Sequence, residues 1–293
     1  MRGGLGFLAL VGLSACGGGS STGPVTETAP IAGSGFAQTG DQIEIGQTFS
    51  TMKNSTIRII EGTPSAGEVD ISVTLIDNDS LSLTIDGKTA TLTRTPGSDD
   101  PFTADIGQLR FFLVGLGSNY SNADAIYTQV YDGGLDEFVG GWSHLGFNSS
   151  AETLGLRTGL ATYSGAAFAS ARASGYFDSF GSGSANFTVN FDSNTIQGQV
   201  ELSDRGSASS EFEFPSLLIA FPETQFTGNT FNPDVTVQFT GANSSNGVVD
   251  SASLQGQFYG STAQTVAGNF IGSGSSDVFD DIMVQGGFTA GID

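Results

Sequence analysis

Strict alternation of apolar and polar residues marks this chain as a β-sheet protein before its composition is considered. Val69, Ile71, Val73 and Leu75 alternate with Asp70, Ser72 and Thr74. A period of two puts one face of a strand in a core and the other in water. Leu81, Leu83 and Ile85 repeat the pattern, Asp86-Gly87 follows, and Ala90 and Leu92 then alternate with threonines. Asp-Gly suits the type I′ turn, whose two central residues take positive φ, so this stretch predicts a tight hairpin. Residues 95–101 (Thr-Pro-Gly-Ser-Asp-Asp-Pro) break the alternation as a loop. The run Phe111-Phe112-Leu113-Val114 predicts a strand buried on both faces, and residues 122–127 have room for one short helix.

Near residue 156 the texture changes. Strands are expected over 158–168, 185–191, 195–202, 212–220, 235–239, 254–259, 267–271 and 283–288. Turn-rich stretches of Gly, Ser, Asn and Asp separate them. Seven or eight strands with short connections predict an up-and-down barrel, which removes exposed edges by closing on itself. Several runs are five to eight residues, below the ~9–11 that a membrane-spanning strand needs. The last residues, Thr289 to Asp293, also lack the terminal aromatic of outer-membrane barrels. The Phe and Val face is therefore expected to point inward and fill a small soluble barrel.

The N-terminus has a different character. Arg2 precedes an apolar stretch over 5–13, and Leu13-Ser14-Ala15 leads into Cys16, the only cysteine of the chain. The stretch is far shorter than the ~20 residues of a spanning helix. The pattern resembles the lipobox of bacterial lipoproteins, in which the leader is cut before the cysteine and the thiol is joined to diacylglycerol. Cys16 is thus the expected lipidation site, which also accounts for an exported thiol with no disulfide partner. Several acyl chains together anchor durably where one does not. Gly17 follows, where an Asp would retain some lipoproteins at the inner membrane, so the outer membrane is favoured. Residues 1–15 are read as signal peptide and 16–40 as a flexible tether with a reach of roughly 25 Å.

Lys plus Arg number 9 and Asp plus Glu 30, a net charge of −21. Nucleic acid is excluded as a partner, since its binders need a basic face. A polybasic membrane patch is excluded too, so the lipid must do the anchoring. His144, the single histidine, stands beside Trp142. One imidazole with no second His or Cys nearby makes a poor metal site, and His144 reads as a residue packed at a junction. Haem ligation through Tyr120, Tyr127 or Tyr131 is the competing idea, but aromatics in such a region are more often core. Asp77-Asn78-Asp79-Ser80 resembles the start of a calcium loop, yet Ser82 and Lys88 stand where its Gly and Glu are required, so a turn is expected. Asp277, Asp280 and Asp281 read as a solvated acidic turn. No Gly-x-Ser-x-Gly elbow is present and no carboxylate pair stands out, so no catalytic and no metal-binding residues are assigned.

Three segments have a family character. Gly159-Leu-Ala-Thr-Tyr-Ser-Gly165 resembles the first barrel strand of the transferrin-binding protein B family. Gly183-Ser-Ala-Asn-Phe-Thr-Val-Asn-Phe-Asp192 with Thr195-Ile-Gln-Gly198, and 254–270 with its Phe258-Tyr259-Gly260, are similar to the same family. The resemblance implies an all-β surface lipoprotein: a β-rich handle domain (41–155) followed by an eight-stranded antiparallel β-barrel (156–293). It further implies capture of a protein, a haem or iron carrier or another solute at the cell surface, with delivery to a transporter, without enzymatic activity and without a cofactor of its own. Haem enters only as cargo. The family's founding member has two handle-barrel lobes and this chain has room for one, so transferrin itself is not carried over. The ligand-binding residues are left unassigned. The competing expectations are a structural or adhesive lipoprotein without cargo and a carboxylate-dependent glycan hydrolase.

Overall fold

The computed structural model describes residues 45–50, 54–60, 63–94, 102–114, 125–144, 146–173, 179–204, 214–240, 247–277 and 279–293. Cys16, the leader, the tether, the 95–101 loop and Tyr120 lie outside the described residues.

Ten strands form the first sheet: β1 (Thr48–Ser50), β2 (Asn54–Ile60), β3 (Thr63–Val69), β4 (Ile71–Leu75), β5 (Ser80–Ile85), β6 (Lys88–Arg94), β7 (Phe102–Ile106), β8 (Leu109–Val114), β9 (Ala125–Asp132) and β10 (Glu137–His144). They pair antiparallel in the order β1-β4-β5-β6-β7-β8-β9-β10-β2-β3. The expected hairpin is present. Ile85 pairs with Lys88, and Asp86 and Gly87 take φ of 52° and 73°, as a type I′ turn requires. Only Asp70 separates β3 from β4, so one bent strand pairs with β2 in its first half and with β5 and β1 in its second. This curls the sheet by joining its two ends. Val73, Leu75, Leu81, Leu83, Leu92, Phe102 and Leu113 fill its concave side.

Two expectations for this sheet need correction. β8 alternates, with Phe111 and Leu113 buried, Phe112 half-buried and Arg110 exposed. A run of apolar residues did not mean burial on both faces, because only one side of β8 meets the core. Residues 125–127 begin β9 rather than a helix, since β9 is held by ladders to β8 and β10 on its two sides.

A short linker leads to α1 (Ala151–Gly155), where Ser150 caps the helix by accepting from the Thr153 amide at 3.0 Å. Leu154 of α1 is buried in the barrel core. The second sheet holds β11 (Leu160–Arg172), β12 (Ser179–Asn190), β13 (Thr195–Asp204), β14 (Ser216–Gln225), β15 (Thr230–Phe231), β16 (Thr236–Thr240), β17 (Gly247–Tyr259), β18 (Thr265–Ser276) and β19 (Ile282–Ile292). Its order is β15-β17-β18-β19-β11-β12-β13-β14-β16. The last strand pairs with the first, as a barrel requires. At the other seam, Thr230 and Phe231 pair with β17 while β16 pairs with β14, so one stretch of chain touches both margins. Eight strands of five residues or more therefore make the barrel, with β15 as a short tie.

Most barrel strands run 10–13 residues, longer than their apolar alternation suggested. The outer face decides what this length means. A membrane-spanning barrel presents an apolar band outward, whereas β12 and β13 present Asn186, Thr188, Gln197 and Gln199, with Asn186 and Gln197 exposed.

Candidate binding surface

The two sheets meet where β10 lies against the outward faces of β18 and β19. Along β19, Val284, Phe288 and Ala290 point into the barrel, and Met283, Gln285 and Thr289 point out, yet all are buried. The outward set is covered by the first sheet. Gln285 inserts its amide into the edge of β10: the Trp142 N–H donates to Gln285 Oε1 at 2.7 Å, and Gln285 Nε2 donates to the Trp142 carbonyl at 3.0 Å. One side chain thus behaves like a residue of an added strand. Ile57, Ile59, Ile271 and Met283 form a small apolar cluster beside it. Trp142 stacks on Phe168 of β11, with ring centroids 5.4 Å apart, and meets Tyr127 edge-on at 5.5 Å.

His144 lies in this joint, 1% exposed, where its Nδ1 hydrogen donates to Asn269 Oδ1 at 2.9 Å. A Cβ at Gly287 would sit 2.7 Å from His144 Cε1, so the imidazole needs a glycine opposite it. Burial pushes the pKa of His144 down to about 4, against the opposing pull of Asn269 and the Phe288 backbone. The expectation of a packed junction residue holds. Tyr127 is buried in the same joint and Tyr131 is exposed, donating to Asp136 at 3.0 Å.

The barrel interior is a solid aromatic core. Phe258 is fully buried between Tyr163, Phe191, Phe226 and Phe231, at centroid distances of 6.3, 6.1, 5.0 and 6.1 Å. Tyr163 donates to the Ala263 carbonyl at 2.7 Å, and burial lifts its phenol pKa to about 12. A void among Leu217, Ile219, Phe239 and Phe270 measures about 20 Å³, room for little more than one water. No haem or comparable cargo fits there. Residues Gly165 and Gly183 allow this packing: a Cβ at either would overlap a neighbouring strand's backbone, at Thr289 and Glu201 respectively.

The outer face carries a more open feature. A shallow depression of about 480 Å³ on the β11–β14 side is lined by Thr162, Asn186, Thr188, Gln197, Gln199 and Asp293. Its polar groups are amides, hydroxyls and the Asp293 carboxylate, with Phe187, Ala220 and Phe221 also in its lining. The Asp293 carboxyl is held below its usual range by the Ser164 and Thr162 hydroxyls. The sequence reading missed this cluster, although Asn186, Thr188, Gln197 and Gln199 all fall on the polar phase of the alternation. It also missed Gln285 and Asn269, which the alternation does not separate from solvent-facing positions.

The acidic motifs behave as turns. The Asp79 amide donates to Asp77 Oδ1 at 2.8 Å, and Asp277, Asp280 and Asp281 are exposed. Among the described residues no group of three or more His, Cys, Asp or Glu side chains is placed to hold a metal ion. On the first sheet, Arg58 bridges Asp86 and Glu137, and Lys88 reaches Glu137 at 3.0 Å and Asp132 at 3.7 Å. These pairs tie the Asp86-Gly87 turn to β2, β9 and β10.

Comparison with known proteins adds a family to this geometry. No curated protein sequence matches the chain. Among solved structures, transferrin binding protein B from serogroup B Neisseria meningitidis aligns with 17% identity, a TM-score of 0.46, and 82% of this chain and 43% of that one. A transferrin binding protein B variant from Haemophilus parasuis aligns with 18% identity, a TM-score of 0.47, and 81% and 44%. HpuA from Kingella denitrificans, solved in complex with human haemoglobin, aligns with 12% identity, a TM-score of 0.37, and 92% and 93%. The chain thus spans less than half the length of the transferrin-binding protein B structures it resembles. The family model described as the C-lobe and N-lobe beta barrels of Tf-binding protein B matches residues 157–290. That match covers β11 to β19, whose first and last strands pair to form the barrel, and so the second half of this chain is similar to the beta barrels of transferrin-binding protein B.

Proposed function

We propose that this chain is a lipoprotein of the outer-membrane surface that captures an iron- or haem-carrying protein and hands its cargo to a membrane transporter, without catalysis. In this reading residues 1–15 are removed, Cys16 carries the lipid, 16–40 is the tether, 41–155 is the handle and 156–293 is the barrel. The observation that carries it is a barrel similar to those of transferrin-binding protein B, with its interior filled by its own rings. A filled barrel has only its outer surface and loops to offer a ligand, which suits a protein partner better than a small solute.

Two experiments test it. Cells displaying the full chain should bind an iron- or haem-carrying protein saturably, and exchange of the exposed barrel loops should abolish binding while the β-sheet signal persists. Cys16→Ser should leave the barrel folded but the precursor unprocessed or the protein shed. Normal lipid labelling of that variant would contradict the anchor.

A further inference from the structure

We propose that the joint between the two sheets is an acid-operated hinge: protonation of His144 releases β10 from β18 and β19 while each sheet stays folded.

Three observations converge. The sheets have separate apolar cores, the barrel's around Phe258 and Phe288 and the first sheet's around Leu81 and Leu83. Neither needs the other to bury its centre. The joint itself is held by a small apolar cluster (Ile57, Ile59, Ile271 and Met283), by rings that meet across it (Trp142 on Phe168, Tyr127 on Phe180) and by two polar fastenings, Gln285 with Trp142 and His144 with Asn269. Its apolar cluster is smaller than either sheet's own core. Finally, the only imidazole in the sequence is one of those fastenings.

The surroundings of His144 decide the sign. Facing it from β18 and β19 are Asn269, Gln285, Gly287 and Thr289, none of them charged. On its own face of β9 and β10 the titratable groups are Tyr127 and Tyr131, and β17 contributes the buried Tyr259. Arg172 of β11 sits over Phe138, six residues along β10. Glu137, with Arg58 and Lys88, is at the far end of β10. No carboxylate among the described residues is placed to balance an imidazolium, and the ring is 1% exposed. Protonation therefore puts an uncompensated charge into a buried contact.

The buried ring's pKa of about 4, against an ordinary value near 6.5, sets the range. Above pH 6.5 the ring is neutral in both closed and open forms, and the joint has its full strength. As pH falls, the open form takes the proton first, so the joint weakens until the closed form also protonates near pH 4. Linkage then favours opening roughly 30-fold at pH 5 and roughly 150-fold at pH 4, relative to pH 8.

Trp142 is the single tryptophan and stacks within the joint, so its emission reports opening directly. The full chain in mild detergent is titrated from pH 8 to pH 4, following Trp emission and far-ultraviolet circular dichroism. The hinge predicts a red shift between pH 6 and pH 4 with the β signal unchanged, and a flat Trp signal over that range in His144→Gln. If His144→Gln does not fold, Asn269→Asp serves, because a carboxylate facing the ring balances its charge and should also suppress the shift. An unchanging wild-type emission overturns the proposal. So does a β signal that collapses together with the emission, or the same titration in either variant.

Discussion

Replacing Phe258 by alanine tests the filled barrel most sharply. The ring is fully buried, with four aromatic neighbours 5.0 to 6.3 Å away. Phe→Ala in a core costs about 3–5 kcal/mol, with the larger values where the site cannot collapse. Aromatic ring pairs each contribute about 0.5–1.5 kcal/mol beyond burial, and four, three of them edge-on, are lost here at once. Neighbours fixed to ladders on several strands cannot move in to fill the void, so about 4–5 kcal/mol is expected. For a unit of this size that lowers the melting temperature by on the order of 10 °C. Urea unfolding followed by circular dichroism measures it, with Phe112→Ala as the half-buried control, expected to cost about 1 kcal/mol. A loss below about 1 kcal/mol for Phe258→Ala would mean that the interior is not packed around this ring, and the case against internal cargo would fall.

Gln285→Ala removes both hydrogen bonds to the Trp142 backbone and should cost about 2 kcal/mol at the joint, read as a red shift of Trp142 emission at neutral pH. Gly165→Ala drives a Cβ into the Thr289 carbonyl, which the β11–β19 ladder holds in place, and should destabilise the barrel by about 3 kcal/mol or prevent folding. Gly155→Ala has open space around it and an ordinary helical backbone, so it should be neutral or add about 0.5 kcal/mol in the same urea unfolding experiment.

The parts of the fold that were legible are those where one strand face is wet. Val69 to Ile85 and 185–191 alternate cleanly, and the hairpin at Asp86-Gly87 is fixed by a local turn requirement. Strand length was harder to read. In β11 the stretch Ser164-Gly165-Ala166-Ala167, and in β18 Gly272 to Ser276, has little apolar contrast, so the signal stops while the backbone ladder continues. The joint was nearly invisible, because Asn269 and Gln285 look like ordinary solvent-facing positions until a second sheet covers them. His144 was readable as a junction residue by elimination, since no second ligand accompanied it. Ligand contacts lie on outer surfaces and loops, where polar residues serve solubility and recognition alike, and the alternation does not separate those roles.

The most direct test of capture from outside the barrel is calorimetric titration of the purified full chain with haemoglobin, transferrin and free haem. Capture from outside requires saturable binding of an iron- or haem-carrying protein and no one-to-one uptake of free haem into the barrel. Stoichiometric haem binding with a Soret shift and no protein partner would contradict it.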